Sequence, residues 1–291
     1  MNWMTGLFLR IAALYIRRFP DHPGRWRLER RLILFSPALK GHWPPRVVKT
    51  RLGFSMWVDG DSQAGRMVYL TGRYEEPISL LIQRLCHTGD CVVDGGAHIG
   101  FFTLLAAHRV GSSGRVISFE PTSATATRLA ANISLNGYQN ISVHRQALSL
   151  GTGHGTISLV STSDTGQATL ALVNGASQQE SVQLIALDDV LAGGQPVKLI
   201  KLDLEGAEFA ALLGMRRILT AFTPHLVIEV TDEFLRRVHG SAALLYDYLA
   251  GFGYLAYAIE PSGLRRLHGR QEFAAYDDQF NALFTVDPAV G

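Results

Sequence analysis

Along most of the chain, short apolar runs alternate with longer stretches whose apolar positions recur every three or four residues. Cys91-Val92-Val93, Arg115 to Phe119, Ile141 to His144, Val197 to Leu202 and His225 to Val230 read as five short strands. Ile99 to His108, Ser123 to Leu135, Ala207 to Leu219 and pieces running to Leu249 carry the helical spacing, with Asn136-Gly137 ending the second of them. Continuous apolar strands alternating with helices predict a parallel sheet covered on both faces. Gln279 to Val286 adds a last strand. Upstream, Val47 to Val58 is rich in β-formers, Asp59-Gly60-Asp61 reads as a turn and Met67 to Leu70 as the returning strand. Pro77 opens a helix with apolar residues at Ile78, Leu81, Ile82 and Leu85. The rhythm breaks over 151–185, where Gly155 to Val160 and Ala168 to Val173 read as a β-hairpin. It is inserted where a ligand-covering flap would follow a strand's carboxyl end.

The length of 291 residues and the 47% hydrophobic content allow one large or two modest domains and exclude a disordered chain. Two cysteines, Cys86 and Cys91, make no disulfide framework and fit a reducing, cytoplasmic setting. The net charge of +2 hides an asymmetry. Residues 1–51 carry eleven Lys/Arg against Asp21 and Glu29, and the remainder is acidic. Trp3 to Ile16 is apolar but shorter than the roughly 20 residues a bilayer crossing needs. Its basic residues follow rather than precede it, so a signal peptide is not expected. It reads as a helix ended by Pro20 and Pro23, with Trp3, Leu7, Phe8, Ile11, Leu14 and Tyr15 on one apolar face and Arg17, Arg18, Arg25, Arg27, Arg30 and Arg31 beyond. Two readings stand for residues 3–31. Either they lie on an anionic membrane surface, or the helix packs over the rest of the chain or a second copy.

The strongest chemical signal is Val92-Val93-Asp94-Gly95-Gly96-Ala97-His98-Ile99-Gly100, an apolar strand, a glycine-rich turn and a helix start. Glu120, at the end of the second strand, is placed to accept both hydroxyls of a ribose. The turn departs from G-x-G-x-x-G, and Asp94 before the glycines would repel a pyrophosphate. An acidic residue there suits a ligand with a cationic end, such as S-adenosylmethionine (SAM). The second signal is Lys198 to Glu208, where Asp203, Glu205 and Glu208 gather at the carboxyl end of the fourth strand. Glu208 fits a helix first turn, whereas Asp203 and Glu205 point toward a cleft.

The chain resembles the FkbM-type SAM-dependent methyltransferases. The resemblance rests on Val93 to Gly100 with Phe102-Thr103, Phe119-Glu120-Pro121, Asn132-Ile133-x-Leu135-Asn136, Gln146-Ala147-Leu148-Ser149, Leu187-Asp188-Asp189-Val190 and Ile200 to Glu208. Tyr74-Glu75 and Asn281-Ala282-Leu283-Phe284 extend it over roughly residues 70–286. Position 98, often Asn in such motifs, is His here. The resemblance implies an α/β, Rossmann-like class I methyltransferase fold with a mostly parallel seven-stranded sheet, helices on both faces and a final antiparallel strand. The organisation then reads as a basic, largely helical extension, 1–45, before a methyltransferase domain, 46–291.

It further implies SAM as methyl donor and a hydroxyl of a sugar, glycan or other natural product as acceptor. Asp94 to Gly100 would hold the methionine part, Glu120 the ribose, and Ala147 with its neighbours the adenine. The full cofactor-contacting set is Tyr74, Glu75, Asp94, Gly95, Gly96, Ala97, His98, Gly100, Phe101, Glu120, Pro121, Gln146, Ala147, Leu148 and Asp203. A sulfonium methyl is already electrophilic, so the protein must align the acceptor and take its proton. Asp203 is the first candidate base, Glu205 the second and Glu229 the third. Clustered carboxylates could alternatively hold Mg²⁺ or Ca²⁺. His144 and His225 read as structural. No nucleic-acid partner is expected, and the absence of an Asn-Pro-Pro-Tyr-like run after the fourth strand, the usual cradle for a planar amine, weighs against N-methylation. An N-methyltransferase of a peptide or nucleic acid and a non-catalytic SAM-binding protein remain the alternatives.

Overall fold

The alternation of apolar runs and helical stretches builds one large sheet, preceded by a helical lead-in and interrupted by a smaller sheet. The computed structural model describes residues 3–19, 22–35, 43–60, 62–159, 168–169 and 178–290. The lead-in comprises α1 (Trp3–Arg18), α2 (Pro23–Phe35), β1 (Arg46–Lys49), β2 (Ser55–Val58), α3 (Gln63–Thr71) and α4 (Glu76–Leu85). Next come β3 (Cys91–Gly95), α5 (Phe101–Val110), β4 (Arg115–Phe119), α6 (Ser123–Asn136) and β5 (Ile141–His144). The insertion strands are β6 (Gln146–Leu148), β7 (Gly153–Leu159), β8 (Ala168–Thr169) and β9 (Gln178–Ile185). The chain continues through α7 (Leu187–Val190), β10 (Leu199–Leu202), α8 (Glu208–Leu213), α9 (Arg216–Phe222), β11 (His225–Thr231), α10 (Asp232–Arg237) and α11 (Ala242–Ala250). It closes with β12 (Leu255–Glu260), β13 (Gly263–Leu267), α12 (Arg270–Ala274) and β14 (Gln279–Thr285).

The large sheet has the order β13-β12-β14-β11-β10-β3-β4-β5. β5, β4, β3, β10 and β11 pair in parallel, and β14 inserts antiparallel between β11 and β12. There are eight strands rather than seven because Gly263, at φ 130°, turns the chain back and lays β13 along β12. Neighbouring strand residues enter opposite cores, as a period of two requires. Val92 and Leu199 join the core shared with α4, α5 and the lead-in, whereas Val93 and Ile200 join the core under α8, α9 and α11. The first core takes in Leu9, Ala12, Ala13 and Ile16 of α1, so that helix is packed onto the body.

Several local expectations are corrected. Met67 to Leu70 is helical, inside α3. Ser62 caps that helix through a bond from the Gly65 N–H (3.0 Å), and Gly72 ends it in the left-handed region (φ 72°). The hairpin turn therefore falls between β1 and β2, where the Thr50 N–H donates to the Phe54 carbonyl (2.8 Å). The helix expected from Ile99 starts at Phe101, after Gly100 at φ 96°. The single helix expected over Ala207 to Leu219 is split at Gly214, where a Cβ would stand 2.0 Å from the Ser149 carbonyl oxygen. The insertion is a four-stranded sheet, β6-β9-β7-β8, in which β7 pairs with β9 along its length. Residues 160–167 and 170–177, which hold much of the expected hairpin's second strand, lie outside the described residues.

Two asparagines of the Asn132-x-x-x-Asn136 motif hold the lead-in to the body. Asn132 accepts from the Trp57 N–H (2.7 Å) and donates to the Ile99 carbonyl (2.9 Å). Asn136 accepts from the Ser55 N–H (2.8 Å) and donates to the Ser55 carbonyl (2.7 Å). Spaced one helical turn apart, they pair with the backbone of β2 as a neighbouring strand would.

Candidate active site

The site begins where β3 meets its neighbours. Gly96 turns the chain at φ 77°, and a Cβ there would stand 1.8 Å from the Asp203 carbonyl oxygen, so no side chain fits. The Asp203 N–H donates to the Gly95 carbonyl (3.1 Å), which carries the β3–β10 register past the strand ends. The Gly96 and Ala97 N–H groups both donate to the Phe119 carbonyl (3.0 and 2.9 Å). His98, in the left-handed region at φ 50°, donates its N–H to Glu120 Oε2 (2.9 Å). Glu120 Oε1 accepts from the Thr122 N–H (3.0 Å), the Thr122 hydroxyl (2.5 Å) and the Thr125 hydroxyl (2.7 Å). The carboxylate is thus fixed in place while buried.

A cavity of about 360 Å³ opens at the carboxyl ends of β3, β4, β10 and β11. It gathers most of the residues singled out in the sequence. Tyr74, Glu75, Gly96, Ala97, His98, Phe101, Glu120, Pro121, Gln146, Ala147, Leu148, Asp203, Glu205 and Glu229 all line it. Asp94, Gly95 and Gly100 do not. Asp94 is buried behind the wall, with Oδ2 accepting from the Thr103 hydroxyl (2.6 Å), itself 2.9 Å from that of Ser118. Asp94 Oδ1 is buried with no hydrogen-bond partner among the described residues. At Gly95 a Cβ would press on Leu148 and Leu202, and at Gly100 it would stand 2.6 Å from Leu129 Cδ1, so both set packing. His144 stacks on Phe119 and His225 bonds to Thr285, and neither lines the cavity.

Lys201 is the electrostatic centre. Its ammonium is buried in the middle of β10, 3.0 Å from Asp203 Oδ2 and 4.9 Å from the Phe102 ring centroid. Burial opposes its charge, but Asp203, Asp94 and Glu75 around it hold its pKa above the ordinary lysine value. Burial pushes the Asp203 carboxyl upward, yet Lys201 and a hydrogen bond from Glu229 more than offset this and hold it below the usual range. The charge on Asp203, with burial, pushes Glu229 well above the carboxylate range. Glu229 is therefore the protonated partner at neutral pH and donates to Asp203. Gln279 Nε2 donates to Glu229 Oε1 (2.8 Å). Burial also raises Glu75 and Tyr74, whose hydroxyl donates to Glu75.

Carboxylate oxygens of Asp203, Glu205 and Glu229 lie within 4.8 Å of one another. Beneath them Glu208 accepts from the Leu204 and Gly206 N–H groups (2.7 and 3.3 Å), so it holds the 203–206 loop as a first-turn acid does. Glu205 takes a left-handed backbone (φ 51°) at the cavity wall. Lys201 and Gln279 were missed as site residues, although a lysine inside Leu199-Ile200-Lys201-Leu202 is itself a signal. Ile157 from the insertion, Gln63 from α3 and Phe234 from α10 also line the cavity and carry no such signal.

The profile of the methyltransferase FkbM domain matches residues 94–256, more than half of the chain. The chain belongs to the FkbM methyltransferase family. No relative among the curated proteins matches it. Among solved structures it is similar to the methyltransferase FkbM of Methylobacillus flagellatus KT, at 19% identity and a TM-score of 0.44, over 76% of this chain and 53% of that one. It thus spans about half of that protein's length. A SAM-dependent O-methyltransferase of Thermotoga maritima matches at 14% identity and a TM-score of 0.41, over 84% of this chain and 78% of that one. A methyltransferase of Streptococcus mutans in complex with SAH matches at 8% identity and a TM-score of 0.42, over 73% and 97%. The family member described here has the Rossmann-like class I methyltransferase fold, and SAM is its cofactor. The cavity fits that molecule. Among the described residues, its wall carries the carboxyl residues Glu75, Glu120, Asp203, Glu205 and Glu229 against a single lysine or arginine, Lys201, which suits a ligand that brings positive charge.

Proposed function

We propose that the protein is an O-methyltransferase that methylates a hydroxyl of a sugar, glycan or other natural product. The observation that carries this reading is the pairing of an ionised Asp203 with a protonated Glu229 over the buried Lys201. A neutral hydroxyl becomes strongly acidic as its oxygen takes a methyl group, so even a carboxylate of low pKa can receive the proton. SAM supplies an electrophilic methyl on a sulfonium, which leaves as a neutral thioether. Asp203 accepts the hydroxyl hydrogen and takes the proton. Lys201 holds Asp203 ionised and oriented, and Glu229 gives it a hydrogen bond from the far side. Glu205 stays a second acceptor at the wall. In the same reading Glu120 Oε2 takes the ribose, the 96–98 turn with Tyr74, Glu75 and Phe101 holds the methionine part, and Gln146, Ala147 and Leu148 face the adenine. Asp94 supports Lys201 from behind rather than touching the cofactor.

The test uses labelled SAM with glycan and natural-product acceptors and identifies the labelled product by mass spectrometry. With an acceptor in hand, Asp203→Asn should lower turnover by about 10²–10⁴-fold while SAM affinity, read by calorimetry, stays within about threefold. Glu120→Ala should instead weaken SAM binding by about ten- to a hundredfold, the value of a charge-assisted hydrogen bond. Label appearing on nitrogen, or an Asp203→Asn variant with wild-type turnover, would overturn the assignment. A reaction stopped by chelator and restored by Mg²⁺ would move Asp203, Glu205 and Glu229 from proton acceptance to metal binding.

A further inference from the structure

The lead-in carries a surface that the methyl-transfer site does not use. α1 carries apolar residues on two opposite sides, with Arg10 exposed in its middle. Leu9, Ala12, Ala13 and Ile16 are sunk in the core, and they are not the face that the wide apolar pattern marks. That face, Met4, Leu7, Ile11 and Leu14 at helical spacing with Phe8 beside it, lies in solvent, at 61, 48, 59, 64 and 50% exposure respectively. A helix that only caps a domain keeps its outer side polar. A continuous apolar strip on a helix about 24 Å long marks a docking surface.

At the carboxyl end of this strip, α1 and β1 bound a second cavity of about 480 Å³. Arg17, Arg18, Arg46, Lys49 and Arg51 line it with Leu14, and no carboxylate does among the described residues. Its cations are held from behind by backbone carbonyls. Arg17 donates to the Lys49 carbonyl, and Arg51 to those of Ile16 and Thr71 (both 3.3 Å). Burial first, and then the charges of Arg46 and Arg51, lower the Arg17 pKa, as expected where like charges crowd together. Arg27, Arg30 and Arg31 of α2 are exposed as well.

We propose that this face docks on a bilayer of anionic phospholipid, with Met4, Leu7, Phe8, Ile11 and Leu14 entering the interfacial layer and the Arg17–Arg46–Lys49 cleft taking a headgroup phosphate. Charge decides the occupant. A second copy packing this face on its own brings the same basic side chains, and none of the described residues of the strip or the cleft is an acid, whereas an anionic bilayer offers hydrocarbon for the strip and phosphate for the cleft in one plane.

Flotation of the full chain tests this, with vesicles of phosphatidylcholine alone and of an equal phosphatidylcholine–phosphatidylglycerol mixture. The chain should float with the anionic vesicles and not with the neutral ones, and salt should weaken the binding. Ile11→Asp with Leu14→Asp should reduce the bound fraction about tenfold, as should Arg18→Glu with Lys49→Glu. All four side chains are exposed, so far-UV circular dichroism and the thermal midpoint should match wild type. Three results would overturn the proposal. These are no flotation with anionic vesicles, equal flotation with neutral ones, or variant pairs that float as wild type does. A dimer in sedimentation velocity that Ile11→Asp dissociates, in a chain that binds no vesicles, would assign the strip to a second copy instead.

Discussion

Lys201 occupies a position that an apolar strand would normally deny to a charge. It is tolerated because three carboxylates and an aromatic face surround it, and removing it would leave Asp203 and Asp94 uncompensated in the interior. Glu208 shows a second use of burial. It is fully enclosed, bonded only to backbone N–H groups, and its pKa is pushed up to about 7 by burial. The folded protein therefore binds a proton that the unfolded chain, titrating near the ordinary glutamate value, has already released. This contribution to stability is complete below about pH 4.5 and is lost as pH rises through about 7. Glu208→Gln keeps the acceptor oxygen and has no such titration. Urea unfolding between pH 4.5 and 8 should show wild type losing on the order of 1–3 kcal/mol more than the variant. Parallel pH curves would mean that Glu208 does not titrate in this range.

At the scale of elements, the site depends on joints between strand ends and helices rather than on any one helix. The 93–100 turn was legible as a glycine-rich ligand loop, but only packing separates the glycines. Gly96 lies at the cavity against the Asp203 carbonyl, whereas Gly100 lets α5 close on α6. The Asn132 and Asn136 motif was recognisable without its task being so. That task needs β2, a distant strand of opposite sequence character, to be lying alongside α6. Asn132→Ala should leave the Trp57 N–H and the buried Ile99 carbonyl without this partner and cost about 1–3 kcal/mol in denaturant unfolding. A smaller loss, within about 0.5 kcal/mol, would show that β2 is held by its hairpin partner alone.

Over the whole molecule, the basic lead-in and the acidic remainder are not two separate bodies. α1 shares a core with Val68, Leu70 and Phe54, and α3 beside it lends Gln63 and Ala64 to the cavity wall. A chain beginning at Trp43 should therefore be destabilised, since burying Leu9 and Ile16 contributes about 1.5–3 kcal/mol each. Its thermal midpoint should fall by several degrees, where substitutions on the outer face of α1 leave it unchanged. An unchanged midpoint in the shortened chain would make α1 a dispensable cover. No helix among the described residues is long and apolar enough to cross a membrane.

The sequence by itself determined the alternating α/β body, the glycine-rich turn with Glu120, the acidic end of the fourth strand and the family, because each rests on local period, turn chemistry or motif spacing. It also marked an apolar helix with a basic end. Tertiary structure alone decided which side of that helix is buried, since α1 offers apolar residues on both sides and only the surface of α3 chooses between them. It decided that Met67 to Leu70 is helical, because a capping serine and a closing glycine outweigh the β-forming side chains between them. It placed Asp94 behind the wall and Lys201 under Asp203, because the β3–β10 register sets neighbours that lie more than a hundred residues apart in the chain. It also set the ionisation of Asp203 and Glu229, because the charge on each carboxyl depends on the distance and burial of groups brought together only by the fold.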